Sequence, residues 1–138
     1  MFIWKKELEL GIRSIDKQHR KLFEIGNKIH DLVITHREGD DDYDEIHALV
    51  AELKDYTVYH FKTEEELFLK HGYTEYEKHK KEHDGFVAYL ESLDFESIDE
   101  NQTQFLKELL EKIAQWIFRH IISTDFKYRD YLLQLGTQ

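Results

Sequence analysis

Apolar residues in this chain recur every three or four positions, and hardly anywhere at every second position. Such a spacing places them along one face of an α-helix, which completes a turn in about 3.6 residues. Proline is absent and only 6 glycines occur, so few residues interrupt the pattern. The sequence therefore predicts an all-α protein.

The pattern predicts four helices, at residues 16–36, 43–70, 75–92 and 103–133. The second helix is expected to end at His71 and Gly72, because glycine is a common stop signal just after a helix. The polar stretch 37–42 is predicted to be a loop, and the acidic stretch 94–100 to be a linker. Short connections make neighbouring helices antiparallel, so we expect an up-down-up-down four-helix bundle.

Residues 1–14 are predicted to form an extended N-terminal arm, anchored by Trp4 and Leu10. The length of 138 residues is that of one ordinary domain, so we expect residues 1–138 to fold as a single unit. The apolar fraction of 41% is enough for a core and argues against general disorder.

The charge and composition narrow the classes of function. The net charge of −10 disfavours binding to nucleic acid. Cysteine is absent, which excludes disulfides, thiolate zinc sites and iron–sulfur clusters, so any metal must be bound by nitrogen and oxygen. The apolar run in residues 1–6 is too short for a signal peptide, and no stretch approaches the roughly 20 apolar residues of a membrane span. We therefore expect a cytoplasmic protein that does not insert into membranes.

Nine histidines occur, and five of them lie on the apolar faces of the predicted helices: His19, His60, His79, His83 and His120. Two spacings put side chains one helical turn apart, His60 with Glu64 and His79 with His83. Inward histidines that hydrogen-bond to one another, to tyrosines or to carbonyls are an alternative, but six convergent polar groups are uncommon. Each one left unpaired would cost about 1–3 kcal/mol, a cost that a metal centre removes. The four remaining histidines are interpreted as solvated surface residues: His30, His36, His47 and His71.

The number of candidate ligands bears on the metal. A structural zinc site takes about four ligands, so six nitrogen and oxygen groups favour iron or manganese, as two ions bridged by carboxylate. Ferritin-like di-iron proteins offer a competing scaffold, but they use Glu-x-x-His motifs, and this sequence contains none.

Four segments resemble the hemerythrin family, specifically its single-domain bacterial members, over nearly the whole chain. They read GIRSIDKQH at 11–19, HFKTEE at 60–65, HKKEH at 79–83 and HIISTD at 120–125. The resemblance implies two iron ions with an oxo or hydroxo bridge. It implies that three histidines hold one ion, two hold the other, and two carboxylates bridge them; these are, in that order, His79, His83 and His120, then His19 and His60, then Glu64 and Asp125. It also implies reversible O₂ binding at the ion with two histidines.

Asp125 is a ligand that helical periodicity alone would not select. A separation of five residues from His120 turns an ideal α-helix by about 500°, which leaves about 140° between the two side chains. We therefore predict a wide turn or break near residues 121–124, because π-bulges are frequent at functional sites.

The predicted function is reversible O₂ binding for carriage, storage or delivery, without enzymatic turnover. Two alternatives remain open: an O₂ or redox sensor that acts through a partner, and a di-iron peroxide or nitric oxide reductase. The expected partners are O₂ and an electron-donor or oxygen-consuming protein.

Apolar residues beside the candidate ligands are expected to line the O₂ pocket as well as pack the core: Leu22, Phe23, Phe61, Phe86, Trp116, Ile117 and Ile121. Tyr128 and Tyr131 are expected to be structural. The acidic runs 40–42 and 64–66, apart from Glu64, are interpreted as solvated faces.

Overall fold

The computed structural model describes residues 2–134, which contain helices and no strand. The α-helices are α1 (Arg13–Thr35), α2 (Tyr43–Lys70), α3 (Tyr76–Glu91), α4 (Phe95–Glu100), α5 (Gln102–Arg119) and α6 (Phe126–Gln134). A π-helical stretch, His120–Asp125, joins α5 to α6 and is called the π segment below. The prediction of an all-α fold is confirmed.

The four long helices form the predicted antiparallel bundle. Helix α1 packs against α2 and α5, and α2 packs against α3. The apolar faces read from the sequence meet in one core, whose fully buried side chains include Ile25, Ile29, Leu53, Leu106 and Ile113. Among the residues described, no helix is long and apolar enough to cross a bilayer.

The connection between α2 and α3 turns sharply at Gly72. This glycine has φ +62°, a left-handed conformation that L-residues with a side chain rarely adopt. The next amide, of Tyr73, donates to the carbonyl of Phe68 at 2.9 Å, which is the capping bond expected after a left-handed glycine. The predicted helix stop is thus confirmed, and the turn brings Tyr73 back against the core.

The N-terminal arm is extended apart from one 3₁₀ turn at Lys6–Leu8. Asn27 holds the arm at its start, since its side chain accepts from the Phe2 amide and donates to the Phe2 carbonyl, both at 2.9 Å. Trp4 packs edge-on against Phe23, and Leu10 is buried. Both predicted anchors therefore contact the bundle, with Phe2 as a third.

Most helix ends lie within one residue of the sequence prediction, but two regions differ by more. Residues 94–100 are not a linker but contain α4, because the Asp94 side chain accepts from the amides of Glu96 and Ser97 and Ile98 is buried in the core. Helix α1 begins at Arg13, inside the predicted arm. Asp16, in its first turn, accepts from the amides of Leu10 and Gly11 at 2.8 and 3.1 Å.

Candidate metal centre

The π segment sets the position of Asp125. A π-helix is wider than an α-helix, so residues five apart come onto the same side. The Oδ1 atom of Asp125 lies 3.1 Å from Nε2 of His120. The predicted wide turn between these two residues is confirmed.

Seven side chains from α1, α2, α3 and the π segment converge inside the bundle, and each is at most 3% exposed: His19, His60, Glu64, His79, His83, His120 and Asp125. They form two groups in which all candidate ligand atoms lie within 4.8 Å of one another. The group called the three-histidine position consists of His79, His83 and His120 with the two carboxylates. The group called the two-histidine position consists of His19 and His60 with the same two carboxylates.

The shared carboxylates lie between the imidazoles of both groups. Glu64 reaches His60 Nε2 at 2.9 Å with Oε1, and Asp125 reaches His19 Nε2 at 3.0 Å with Oδ2. The other oxygen of Asp125, Oδ1, lies 2.9 Å from His79 Nε2. Both positions therefore draw on the same two side chains.

Although these distances are short, most of the contacts do not have the geometry of hydrogen bonds. All four carboxylate oxygens of Glu64 and Asp125 are buried and have no hydrogen-bond partner. The same is true of Nε2 of His19 and of His60. The Nε2 atoms of His79 and His83 instead crowd to 3.2 and 3.1 Å from that of His120. Buried atoms that face one another without pairing are costly alone. Cations between them would satisfy these atoms, so the donor set fits metal ions.

The electrostatics of the cluster also favour cations. Burial alone would raise the pKa of Glu64 and of Asp125, but the adjacent histidines outweigh it and lower both pKa values below their ordinary range. Burial disfavours the imidazolium of His120, yet Asp125 and Glu64 raise the pKa of His120 well above its usual value. The two carboxylates are therefore anionic in the folded protein.

The outer nitrogens of two histidines have polar partners that the sequence analysis missed. His60 Nδ1 lies 2.7 Å from Oε1 of Gln18, and His83 Nδ1 lies 2.9 Å from Oε2 of Glu65. The interpretation of Glu65 as a solvated acid was wrong, because its carboxylate points inward across the gap between α2 and α3. The sequence carried no helical spacing that signals either contact, because Gln18 and His60, like Glu65 and His83, lie on different helices.

A third polar residue, Glu82, lies near His120. The Thr124 hydroxyl donates to both oxygens of Glu82 at 2.9 and 3.1 Å, and Oε1 of Glu82 is 3.8 Å from Nδ1 of His120. That separation is an ion-pair distance rather than a hydrogen bond. The π segment thus also sets the position of a negative charge beside a candidate ligand.

Two of the predicted pocket residues stack directly on candidate ligands. Phe61 lies parallel to His83 with ring centroids 3.8 Å apart, and Trp116 lies nearly parallel to His120 at 4.4 Å. Phe86 packs against Trp116 at 4.2 Å. Trp116 is half-buried, and the remaining predicted lining residues are buried: Leu22, Phe23, Ile117 and Ile121. Of these, Phe23 packs on the aromatic rings of the arm, at Phe2 and Trp4.

Three further aromatic residues pack near the cluster or beside the end of α2. Phe68 is fully buried and lies 4.4 Å from His79, and it was not predicted as a site residue. Tyr128 packs edge-on against Phe68 and is fully buried, with a hydroxyl that has no hydrogen-bond partner. Tyr131 has the predicted structural role, because its hydroxyl donates to the His71 carbonyl at 2.7 Å.

One of the four histidines that were interpreted as solvated surface residues is buried. His36 is buried and its Nδ1 is 2.6 Å from Oδ2 of Asp42, so it ties the end of α1 to the start of α2. His47 is exposed as expected, and His30 and His71 are half-buried. The interpretation of His36 as solvated was wrong because its carboxylate partner follows the loop.

Comparisons with known proteins agree with this geometry. The family model described as the hemerythrin HHE cation binding domain matches residues 10–132. A bacteriohemerythrin of Clostridium acetobutylicum is 42% identical over 130 residues, which are 94% of this chain and 100% of that protein. A hemerythrin-like protein of Naegleria gruberi is 32% identical over 95% of this chain and 93% of its own length. A crystal structure of wild-type hemerythrin has a TM-score of 0.72 at 26% identity, over 93% of this chain and 95% of that one.

Proposed function

Because this chain belongs to the hemerythrin family, we propose that it binds O₂ reversibly at a pair of iron ions, for carriage, storage or delivery. The observation that supports this most is that two groups of buried ligand atoms share both of their carboxylates. A shared pair of carboxylates suits two adjacent cations better than one, since each oxygen can face a different ion.

The ligands of each ion follow from the two groups. His79, His83 and His120 would hold one ion, and His19 and His60 the other, with the two carboxylates contacting both. Two ferrous ions supply, when bound, the two electrons that O₂ takes up on binding and returns on release. The two-histidine position has one imidazole fewer, which leaves more room for a small ligand.

The apolar side chains around the cluster keep water away from it. Phe61 and Trp116 each cover one imidazole face, and Phe86 closes the space behind them. Leu22, Ile117 and Ile121 are also buried. A dry, weakly polar pocket slows the proton transfer that would convert bound O₂ to free reduced products.

The donor set favours binding over turnover. Five imidazoles and two carboxylates form a less anionic site than the carboxylate-rich clusters of ferritin-like enzymes. Fewer anionic ligands stabilise highly oxidised metal less, which favours reversible chemistry with O₂.

The test is metal content together with an optical spectrum of the purified protein, reduced without air and then exposed to O₂. We expect two irons per chain and a visible band that appears with O₂ and disappears when O₂ is removed. A His47→Ala variant is the matched control, because this exposed histidine is not in the cluster. Iron that oxidises at once without a reversible band would favour a reductase or redox sensor, and one zinc without colour would contradict the proposal.

A further inference from the structure

The two metal positions differ in the groups that contact their histidines from outside. At the three-histidine position, His83 contacts the carboxylate of Glu65 and His120 lies near that of Glu82. At the two-histidine position, His60 contacts the neutral amide of Gln18, and Nδ1 of His19 is buried with no partner. Nδ1 of His79 is likewise buried without a partner, so the difference lies in charge: among the described residues, the carboxylates outside the shared pair that contact or approach these histidines do so at the three-histidine position.

The contact between Glu65 and His83 also fixes which nitrogen of His83 carries the proton. An ionised carboxylate can only accept, so Nδ1 of His83 must donate, and in the neutral ring that binds a metal Nε2 keeps its lone pair directed into the cluster. Phe61 stacks in parallel on the same ring, with centroids 3.8 Å apart, and so supports this orientation. Gln18 acts similarly on His60, since its amide nitrogen lies 3.3 Å from the Thr63 hydroxyl and its oxygen is left to accept from Nδ1.

From this asymmetry, and resting on the proposed metal pair, we propose that Glu65 is a positioning residue that makes the three-histidine position the tighter of the two. Its carboxylate orients His83 and increases the electron density on Nε2, and Glu82 adds a second negative charge nearby. A divalent cation then fills this position first, and the two-histidine position fills second and more weakly. The weaker position is the one at which O₂ is expected to bind.

Glu65 is suited to mutation because it lies at the edge of the cluster. Its side chain is 20% exposed and borders a groove between α2 and α3, beside Val58, Lys62 and Asp84. Glu66, the next residue, is exposed and carries the same charge. Substitutions at Glu66 therefore control for long-range charge effects on the same helix.

The experiment is a titration of the metal-free protein with Co²⁺ without air, followed by the absorption of the bound ion and by calorimetry. We expect two steps for the natural sequence. Glu65→Ala should weaken the first step about 10–100-fold, the range typical for loss of a partner to a metal-bound histidine. Glu65→Gln should weaken it less, because the amide oxygen still accepts from Nδ1. Gln18→Ala should weaken the second step only, and Glu66→Gln neither.

Other results of this titration would overturn either the role of Glu65 or the order in which the two positions fill. Equal weakening of both steps by Glu65→Ala, or no larger effect than that of Glu66→Gln, would overturn the role of Glu65. Weakening of the first step by Gln18→Ala would overturn the order of filling. Circular dichroism of each metal-free variant reports folding, and Glu65→Gln, which keeps the shape, decides the matter if Glu65→Ala does not fold. If the natural sequence binds no cation, the proposed function fails with this inference; two bound ions without an effect at Glu65 refute the inference alone.

Discussion

Glu64 and Asp125 have a different place in the cluster from any of the histidines. Both are fully buried and each belongs to both groups of ligand atoms, whereas every histidine belongs to one. The loss of a shared carboxylate removes a ligand from two positions at once. The loss of a histidine removes a ligand from one position only. The two kinds of substitution should therefore differ in how many ions remain bound.

We predict that Asp125→Asn loses both irons and that His60→Ala loses one. The asparagine has nearly the same shape but is neutral, so each position loses an anionic ligand. In His60→Ala the three-histidine position stays complete. Metal analysis after gel filtration should therefore give well under one iron per chain for Asp125→Asn and about one for His60→Ala. Retention of two irons by Asp125→Asn would contradict the shared role of this residue.

The π segment can be tested as an element, because it corresponds to one residue inserted into a continuous helix. Deletion of Ile122 reduces the separation of His120 and Asp125 from five residues to four, and an α-helix places residues four apart on the same side, about 40° apart. Ile122 is 53% exposed, so its removal costs little packing. We predict that the deletion retains bound metal, and that insertion of an alanine after Ile122 abolishes binding by turning Asp125 away.

The readout for both length variants is iron content with thermal stability of the metal-free form. The deletion should be at least as stable as the natural sequence, since a regular α-helix replaces a less favourable turn. Loss of metal from the deletion as complete as from the insertion would show that the π geometry itself, rather than the facing of Asp125, holds the ions.

The N-terminal arm depends on a glycine in α1. A Cβ atom on Gly26 would lie 2.8 Å from the ring of Phe2, so Gly26→Ala forces this buried side chain to move. The partial loss of Phe2 burial, worth roughly 2 kcal/mol, exceeds the gain of about 1 kcal/mol in helix propensity. We predict that Gly26→Ala lowers the free energy of unfolding by about 1 kcal/mol, measured by denaturant titration.

Gly85 provides the control for this prediction. It lies inside α3 with nothing within 4 Å of an added Cβ, so Gly85→Ala should raise the free energy of unfolding by about 0.5–1 kcal/mol. In a Phe2→Ala background, Gly26→Ala should stabilise in the same way. A destabilisation that persists in that background would show that Phe2 is not the cause.

Periodicity predicted the role of a residue correctly where that role depends only on the helix that contains the residue. His60 with Glu64, and His79 with His83, are one turn apart whatever packs against them. The five-residue spacing of His120 and Asp125 predicted the π segment only because the family resemblance had already implied that both are ligands. Glu65 and His36 were misjudged because their partners lie on another element, at His83 and Asp42. Sequence periodicity cannot show which outward-facing position another helix covers.

The whole bundle encloses a cluster of seven polar side chains where a core is usually apolar, so its stability depends on what neutralises this cluster. Bound metal pairs with these groups only in the folded state and therefore stabilises it by mass action. Without metal, the histidines and carboxylates must neutralise one another by holding protons. The two forms should therefore respond to pH in opposite directions.

In the metal-free protein, the pKa values of His83 and His120 are raised, because the nearby carboxylates outweigh burial. The folded chain then holds protons that the unfolded chain releases near pH 6.5, so this stabilisation is present below about pH 6.5 and is lost as pH rises through the folded pKa values. Burial lowers the pKa of His60 and acts in the opposite direction, but at one residue against two. The lowered pKa values of Glu64 and Asp125 give stability that is present above about pH 4.5 and lost on acidification.

We predict that the metal-free protein is most stable between about pH 4.5 and 6.5 and that its melting temperature falls from pH 6.5 to 8.5. With two equivalents of ferrous iron under nitrogen, the melting temperature should instead rise with pH from about 5 to 7, because protons compete with metal for the imidazoles. Melting curves in chelator and in iron across this range test both slopes. His120→Gln should flatten the metal-free slope, since it removes the histidine whose pKa is raised most strongly by the buried carboxylates. Slopes of the same sign in both forms would show that proton binding by the cluster does not govern the stability of the bundle.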